Sequence, residues 1–160
     1  MTDNGLETLY TGRHLNILET LSSTNNYMDS LLAEKRLPEG SVIVAREQSL
    51  GRGQAHGQWI SEAGKNLLMT AVCYPAFLSP QNLFMLSKTF SLAVYDVTKE
   101  ILGEDVKIKW PNDIYVGNKK LCGMLIENSI RNPNVNHTLL GIGLNVNQEI
   151  FPAALANPVS

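Results

Sequence analysis

A glycine-rich segment around a single arginine is the first place in the chain where residue types and spacing point to chemistry. Residues 48–59 read QSLGRGQAHGQW and set Arg52 between Gly51 and Gly53. Glycines let a backbone pass close to a ligand and turn its N–H groups inward. An arginine between them can pair with a carboxylate or a phosphate in the same cavity. The spacing matches neither a Walker A loop nor a dinucleotide fingerprint, so it predicts an anion-binding loop, with a surface loop as the alternative.

The segment KIKWPND at residues 107–113 puts cations, an aromatic ring and an acid side by side. Trp110 offers a flat face on which a base could stack. Asp113 is the type of ligand that holds a divalent cation against phosphates. The alternative is a Pro-Asn-Asp turn with Trp110 in the core.

Two adjacent lysines form the third candidate. Lys119 and Lys120 precede Leu-Cys-Gly at residues 121–123. Neighbouring residues of a strand point to opposite faces, so only one lysine can reach a given cleft, and the spacing does not say which. The alternative is a solvated end of a hairpin.

The segment GIGLNVN at residues 141–147 is the fourth candidate. Glycines inside a strand indicate close approach by a ligand or another backbone, or else a bulge. Asn145 and Asn147 stand in an apolar context, where buried amides need partners.

The elements that must position these segments predict an α+β fold. Short apolar runs between turn residues predict strands at residues 14–21, 41–47, 66–74, 106–110, 113–116, 119–128 and 137–146. Gly117-Asn118 and residues 132–134 mark reversals between successive strands. Strands joined by such short turns form a largely antiparallel sheet.

Two helices are expected to pack on that sheet. The first follows the capping residues 22–25 and runs to about residue 36. The second begins at Ser79-Pro80 and stops at Gly103. Its apolar residues recur every three or four positions, at Leu83, Leu86, Phe90, Val94, Val97 and Ile101.

Composition excludes several classes of protein. The chain has 160 residues, 44% apolar and 18% charged, as in one globular domain. A net charge of −2 does not suit a protein that coats nucleic acid. Cys73 and Cys122 lack metal or redox spacing and are expected to be reduced thiols, and the three histidines do not cluster in the sequence. With no apolar span or signal peptide, a soluble, cytoplasmic chain is expected.

Taken together, these segments resemble the catalytic domain of the biotin protein ligases, in the biotin/lipoate ligase family. The resemblance spans roughly residues 15–150 and is most specific at KWPND (109–113) and the Lys-Leu-Cys-Gly that follows (120–123). Ser-Thr-Asn at 23–25, the loop at 48–59 and GIGLNVN at 141–147 add to it. It implies a fold like that of class II aminoacyl-tRNA synthetases, a mixed sheet with helices on one side.

The resemblance implies a reaction in two steps. Biotin and ATP, with Mg²⁺, form biotinyl-5′-AMP and pyrophosphate, and a lysine of the biotin carboxyl carrier domain of a carboxylase then takes the biotin. A lipoate ligase relative and a module that binds biotin or its adenylate without transfer are the alternatives. The polar set Ser23, Thr24 and Gln48 favours biotin, because a site built to hydrogen-bond a group disfavours ligands without it.

The resemblance also assigns roles to positions of this chain. Arg52 and Lys120 match the catalytic positions, and Asp113 matches the metal position. The positions that match biotin contacts are Ser23, Thr24, Asn25, Gln48, Gly51, Arg52, Gly53, Gln54, Lys120 and Gly123. The positions that match ATP contacts are Trp59, Asn66, Asn112 and Asn145. Residues 54–58, Gln-Ala-His-Gly-Gln, depart from the family, because Gln54 lacks the charge that some members carry there and the arginine further along the loop is missing.

The organisation implied is a single catalytic domain over residues 1–160. It is expected to lack the family's final helix and small C-terminal β-barrel, and to have no DNA-binding segment. The expected partner is therefore a carboxylase carrier domain, without DNA or membrane, and a homodimer is left open beside a monomer.

Overall fold

The computed structural model describes residues 10–54, 57–131, 134–152, 155 and 157–160. Residues 55 and 56 of the glycine-rich loop and 132 and 133 of the last predicted reversal lie outside these ranges. The elements are β1 (Leu15–Leu21), α1 (Thr24–Glu34), β2 (Val42–Gln48), β3 (Asn66–Cys73), α2 (Phe84–Leu102), β4 (Val106–Lys109), β5 (Asp113–Val116), β6 (Lys119–Arg131) and β7 (Asn134–Asn145). Each corresponds to a predicted strand or helix.

The strands form one seven-stranded sheet in the order β1-β2-β3-β7-β6-β5-β4. β1 and β2 pair in parallel, joined by the crossover through α1. The other neighbours pair antiparallel, and only two or three residues separate each of β4 to β7 from the next in the chain. Gly117 makes the turn between β5 and β6 with φ of +57°, a conformation that glycine adopts without strain. The predicted α+β class with a mixed, largely antiparallel sheet is confirmed.

The two helices cover opposite faces of the sheet, so the expectation of helices on one side is wrong. Met28 of α1 packs with Val72 and Leu139. Leu140, the next residue of β7, belongs instead to the cluster against which Phe90 of α2 packs. Consecutive strand residues face opposite sides. Because β7 carries large apolar side chains on both faces, each face needs a cover.

α2 ends at Gly103 as predicted, but its start and its buried face differ from the prediction. Ser79-Pro80 starts a 3₁₀ turn at Pro80–Asn82, and the α-helix begins at Phe84. Towards its C-terminal end the buried line passes through Ser91 and Thr98 rather than through the apolar stripe. Val97 and Ile101, which the stripe placed in the core, are 59% and 75% exposed.

Both cysteines are free thiols, as expected. Burial raises the pKa of Cys73 to about 11 and that of Cys122 to about 12, so both thiols are protonated at neutral pH. Over the described ranges, no helix combines the length and the apolar character that crossing a bilayer requires.

His137 makes the stability of the fold depend on pH. Burial lowers the pKa of its imidazole below the ordinary 6.5, and Asp29 offsets this in part. Asn136 Nδ2 lies 3.0 Å from His137 Nδ1, where it can donate to a neutral ring. Below pH 6.5 the unfolded chain therefore binds a proton at this histidine more readily than the folded chain does. The free energy of unfolding accordingly decreases as the pH is lowered.

We expect His137→Gln to flatten this dependence. Between pH 7.5 and 5.5 the wild-type chain should lose stability with a slope of at most about 1.4 kcal/mol per pH unit from this one group. Urea unfolding at several pH values measures the slope. His14→Gln, at an exposed histidine, is the matched control and should leave it unchanged. Parallel pH profiles for wild type and His137→Gln would contradict the assignment.

Candidate active site

Two glycines on neighbouring strands form the floor of the candidate site. Gly123 of β6 pairs with Gly143 of β7 in a regular register. A Cβ added to Gly143 would lie 2.5 Å from Trp59 Cε2, and one added to Gly123 would lie 2.9 Å from Trp59 Cζ3. The indole therefore lies directly on the backbone of the sheet, which no other residue type at these positions would allow.

The glycine-rich loop delivers Trp59 to this position. Arg52 pairs with Gln58 in an antiparallel bridge, and Gly53 N donates to Gly57 O at 2.7 Å. Trp59 N donates to Gly51 O at 2.9 Å. A Cβ at Gly51 would lie 2.3 Å from Trp59 O. The glycines thus allow the loop to close tightly on itself, which explains their number.

Trp59 stands between two cavities and lines both. The first has a volume of about 230 Å³ and brings together the predicted residues Ser23, Thr24, Asn25, Gln48, Arg52, Gly53, Gln54, Trp59, Asp113, Lys120 and Gly123. The second, about 270 Å³, is lined by Trp59, Tyr115, Lys120, Asn145, Phe151 and Pro158, among others. Gly51, also a predicted contact, does not line the first cavity and instead supports the loop through its backbone contact with Trp59.

One end of the first cavity is a hydrogen-bonded cluster of neutral side chains. Gln48 Oε1 accepts from Thr24 N at 2.7 Å and from Thr24 Oγ1 at 3.1 Å. Thr70 Oγ1 lies 2.8 Å from Thr24 Oγ1 and 2.5 Å from Asn25 Oδ1, within hydrogen-bonding distance of both. Gly141 leaves room for the Asn25 amide, since a Cβ there would lie 2.3 Å from its Oδ1. The sequence analysis did not predict Thr70 as a site residue. A hydroxyl among the apolar residues of β3 was the available signal.

Arg52 is held by a carboxylate that the sequence analysis missed. Its Nη2 lies 2.6 Å from Glu127 Oε1, and its Nη1 donates to Asn26 Oδ1 at 2.6 Å. Asn25 Nδ2 donates to the other oxygen of Glu127 at 2.8 Å. Glu127 is the one acid in the apolar half of β6, which was the available signal. The guanidinium therefore belongs to the same hydrogen-bonded cluster as Thr24 and Gln48.

Lys120 and Asp113 form a second ion pair, between the two cavities. Lys120 Nζ lies 2.8 Å from Asp113 Oδ2 and 5.7 Å from the centre of the Trp59 ring. Their side chains are 30% and 25% exposed. Lys119 is exposed and lines neither of the two cavities described above. Of the two lysines, Lys120 is thus the one that the strand turns towards the site.

The metal position predicted at Asp113 has a poor donor set. Within the described part of the chain, no group of three His, Cys, Asp or Glu side chains comes together as a metal cluster. The Asp113 carboxylate already contacts the Lys120 ammonium. Magnesium favours one or two free carboxylates plus phosphate oxygens. These residues alone do not fit a magnesium site.

The predicted ATP contacts are divided among three places. Trp59 and Asn145 line the second cavity, where Asn145 Nδ2 also donates to Val159 O at 2.9 Å. Asn66 lies outside the two cavities, and its side chain holds Gln148 and the backbone of Val146. Asn112 is buried and donates to Met124 O. Asn66 and Asn112 therefore fix the strands that carry the site.

Trp110 does not lie in the core, and it lines neither of the two cavities described above. The residue is 75% exposed, and its ring is tilted against Phe84 with 5.9 Å between ring centres. The tryptophan that lies in the site is Trp59.

A segment near the end of the chain encloses Lys120. Lys120 N donates to Asn157 O at 2.7 Å, and Val159 N donates to Lys120 O at 2.9 Å. Pro158, between them, lines the second cavity. Both peptide groups of Lys120 are therefore fixed by residues 157–159.

The geometry describes a site for an extended ligand with a neutral polar head and an anionic end. The head would meet the cluster around Thr24 and Gln48, and the anion would meet Arg52 and Lys120. The second cavity adds an aromatic wall beside Lys120. Such a layout suits the joining of an acid to a second anionic molecule, since the cations stand between the two spaces.

Comparison with known proteins identifies the family. The biotin/lipoate A/B protein ligase family model matches residues 17–145. The chain therefore belongs to the biotin/lipoate A/B protein ligase family.

Two relatives show what the chain is similar to. The chain is 36% identical over 145 residues to the bifunctional ligase/repressor BirA of Bacillus subtilis, covering 91% of this chain and 44% of that protein. It is 34% identical to the biotin–[acetyl-CoA-carboxylase] ligase of Paracoccus denitrificans, covering 81% of this chain and 53% of that one. The chain thus spans about half the length of these relatives.

A solved structure shares the fold. The biotin protein ligase of Aquifex aeolicus in complex with biotin and ATP superposes with a TM-score of 0.76 at 29% identity, over 92% of this chain and 59% of that one. The predicted resemblance to a biotin protein ligase catalytic domain is confirmed.

We expect Gly143→Ala to displace Trp59 from the floor of the site. The added methyl would overlap the indole, at a cost of about 1–3 kcal/mol if the ring stayed. In a Trp110→Phe background Trp59 is the only tryptophan, so its fluorescence emission should shift to longer wavelength as the ring becomes solvated.

Leu144→Met, at the next residue of the strand, is the control for general disturbance of β7. Its side chain packs in the α2 cluster on the other face, and Trp59 emission should not change. An unshifted spectrum in Gly143→Ala would show that the ring does not rest on this glycine.

Proposed function

We propose that this chain catalyses the ATP-dependent activation of biotin to biotinyl-5′-AMP and its transfer to a lysine of a biotin carboxyl carrier domain. The observation that carries the proposal is the position of Lys120, at the boundary between a cavity with a polar end and a cavity with an aromatic wall. The ligand named in the Aquifex aeolicus complex and the activity named for the Paracoccus denitrificans relative support it.

Biotin would occupy the first cavity. Its ureido group both donates and accepts hydrogen bonds, and Ser23, Thr24 and Gln48 offer both kinds of partner at the closed end. The remaining wall is the backbone of β6 and β7 beside Trp59, which suits the apolar ring and chain. The carboxylate at the far end of such a ligand would reach Arg52 and Lys120.

ATP would place its base in the second cavity and its α-phosphate beside Lys120. Trp59 and Tyr115 supply aromatic surface there. Trp59 Nε1 is buried and has no partner among the described residues, so it can donate to an acceptor on a bound ligand. Asn145, at the same wall, supplies an amide.

Activation joins two anions, and the site must lower their repulsion. A biotin carboxylate oxygen attacks the α-phosphorus, the bond to the β-phosphate oxygen breaks, and pyrophosphate leaves. The Lys120 ammonium and the Arg52 guanidinium face the charge that gathers at the phosphorus. The site also lowers the barrier by holding the carboxylate oxygen in line with the phosphorus–oxygen bond that breaks. Magnesium would arrive bound to the nucleotide phosphates. Asp113 is the carboxylate that pairs with Lys120.

Transfer uses the mixed anhydride as an acyl donor. The neutral amine of a carrier lysine attacks the biotinyl carbonyl carbon, and AMP leaves with the electron pair of the broken C–O bond. The nitrogen loses one proton to solvent as the amide forms. The carrier domain is the proposed partner because the Paracoccus denitrificans relative is named for acetyl-CoA carboxylase.

The direct test is incubation of the chain with biotin, ATP, Mg²⁺ and a carrier domain, followed by mass spectrometry of both proteins and of the nucleotide. We expect one biotinyl group on the carrier lysine and release of AMP. Adenylate without modified carrier would indicate a binding module that does not transfer. Calorimetric titration with lipoate in place of biotin checks the substrate; tighter binding of lipoate would overturn the choice of acid.

We expect Lys120→Ala to slow adenylate formation by roughly 10²- to 10³-fold, the range for removal of one charge-stabilising donor. Lys119→Ala should change the rate less than about twofold, since that side chain is exposed and outside the site. Pyrophosphate release with saturating biotin and ATP measures both. Equal losses in the two variants would mean that Lys120 does not act at the reacting groups.

A further inference from the structure

Each cation of the first cavity already has a carboxylate partner. Arg52 pairs with Glu127 and Lys120 pairs with Asp113. The two ion pairs carry no net charge. The carboxylates differ in what else they contact. Asp113 contacts Lys120 alone in the hydrogen-bond pattern of the described residues, whereas Glu127 also accepts from Asn25.

Glu127 holds Arg52 by two bonds without using all of its donors. Arg52 Nη2 contacts Oε1 at 2.6 Å and Nη1 contacts Oε2 at 3.2 Å, which is the bidentate arrangement. The second hydrogen of Nη1 goes to Asn26 Oδ1. A guanidinium has five N–H donors. The Nε hydrogen and one Nη2 hydrogen therefore are not needed for this grip and can serve a ligand anion.

The same carboxylate connects Arg52 to the polar end of the cavity. Asn25 Nδ2 donates to Glu127 Oε2, and Asn25 Oδ1 lies 2.5 Å from Thr70 Oγ1. Thr70 in turn contacts Thr24, the partner of Gln48. A continuous chain of hydrogen bonds therefore links the predicted head-group contacts to the guanidinium of Arg52, through Gln48, Thr24, Thr70, Asn25 and Glu127.

We propose that Glu127 is a positioning residue that acts through Arg52: it fixes the guanidinium plane so that its remaining donors face the anionic end of the ligand. This inference rests on the proposed adenylation. Glu127 itself touches the guanidinium and Asn25. Without it, a long and half-exposed side chain, 43% accessible, loses the two bonds that select one rotamer.

A double-mutant cycle tests whether Glu127 acts through Arg52. Glu127→Ala and Glu127→Gln should each lower kcat of pyrophosphate release by roughly 10- to 100-fold, since a misplaced group can cost that much. KM for biotin should change less than about threefold, because Ser23, Thr24 and Gln48 stay. In an Arg52→Ala background, Glu127→Ala should cause no further loss, because the residue through which it acts is gone.

A second ion pair of the same chemistry provides the control. Arg46 and Glu19 pair on the surface, with Nε and Oε1 3.2 Å apart and side chains 61% and 84% exposed. Glu19→Ala should leave kcat and KM unchanged. If Glu127→Ala lowers kcat equally with and without Arg52, the carboxylate acts by another route and the proposal is wrong.

A measurement without substrates separates this inference from the proposed function. Rotation about the Cζ–Nη bonds of Arg52 should be slow in the wild-type chain, giving resolved Nη proton signals in the NMR spectrum that Arg52→Ala removes. Glu127→Gln should merge them by restoring rotation. Signals that stay resolved in Glu127→Gln would overturn the inference whatever the activity. A held Arg52 in a chain that forms no adenylate would instead reject the proposed function.

Discussion

The site must hold two cations, Arg52 and Lys120, close together even when no anionic ligand is bound. Two cations that share one cavity repel each other, and each loses hydration when partly buried. The chain meets this with a resident carboxylate for each, Glu127 for Arg52 and Asp113 for Lys120. A pair 4 Å apart at an effective dielectric constant of 20 is worth about 4 kcal/mol before desolvation. An incoming anion therefore shares or displaces a partner and does not enter a bare cationic pocket.

The arrangement of the sheet decides where this charge can stand. α1 covers part of one face and leaves the glycine floor at the β6–β7 pair open, while α2 closes the opposite face. On that floor the indole of Trp59 rests against backbone instead of side chains. One ring can then wall two cavities, and Lys120, above the ring, lines both. The division of the site into two cavities thus depends on two missing side chains.

The sequence was informative where local pattern decides the outcome. Alternation and turn residues located all seven strands of the sheet. The choice of Lys120 over Lys119 came instead from the family resemblance, because spacing alone does not say which neighbour on a strand faces a cleft. The structure turns Lys120 towards the first cavity. Local pattern says little about partners distant in sequence. Glu127 and Arg52 are separated by 75 residues, and Thr70 and Asn25 by 45, so neither contact leaves a trace in spacing. Asn66 and Asn112 match site motifs yet support strands, because a buried amide serves a backbone as readily as a ligand.

Helix faces were the other limit. Periodicity marked Val97 and Ile101 as buried, but α2 turns Ser91 and Thr98 inward in this part of the helix and leaves Val97 and Ile101 exposed. An apolar stripe shows which residues a helix could bury, and the packing against its neighbours decides which of them are buried. Packing also explains why the expectation of both helices on one side of the sheet was wrong. β7 is apolar on both faces, and the connections between elements decide which helix covers which face.

Residues 157–159 hold Lys120 by hydrogen bonds to both its N–H and its C=O. Pro158, between the two bonding residues, also lines the second cavity. One short segment therefore does two things at once: it fixes the main chain from which the ammonium of Lys120 extends, and it forms part of the wall beside that ammonium.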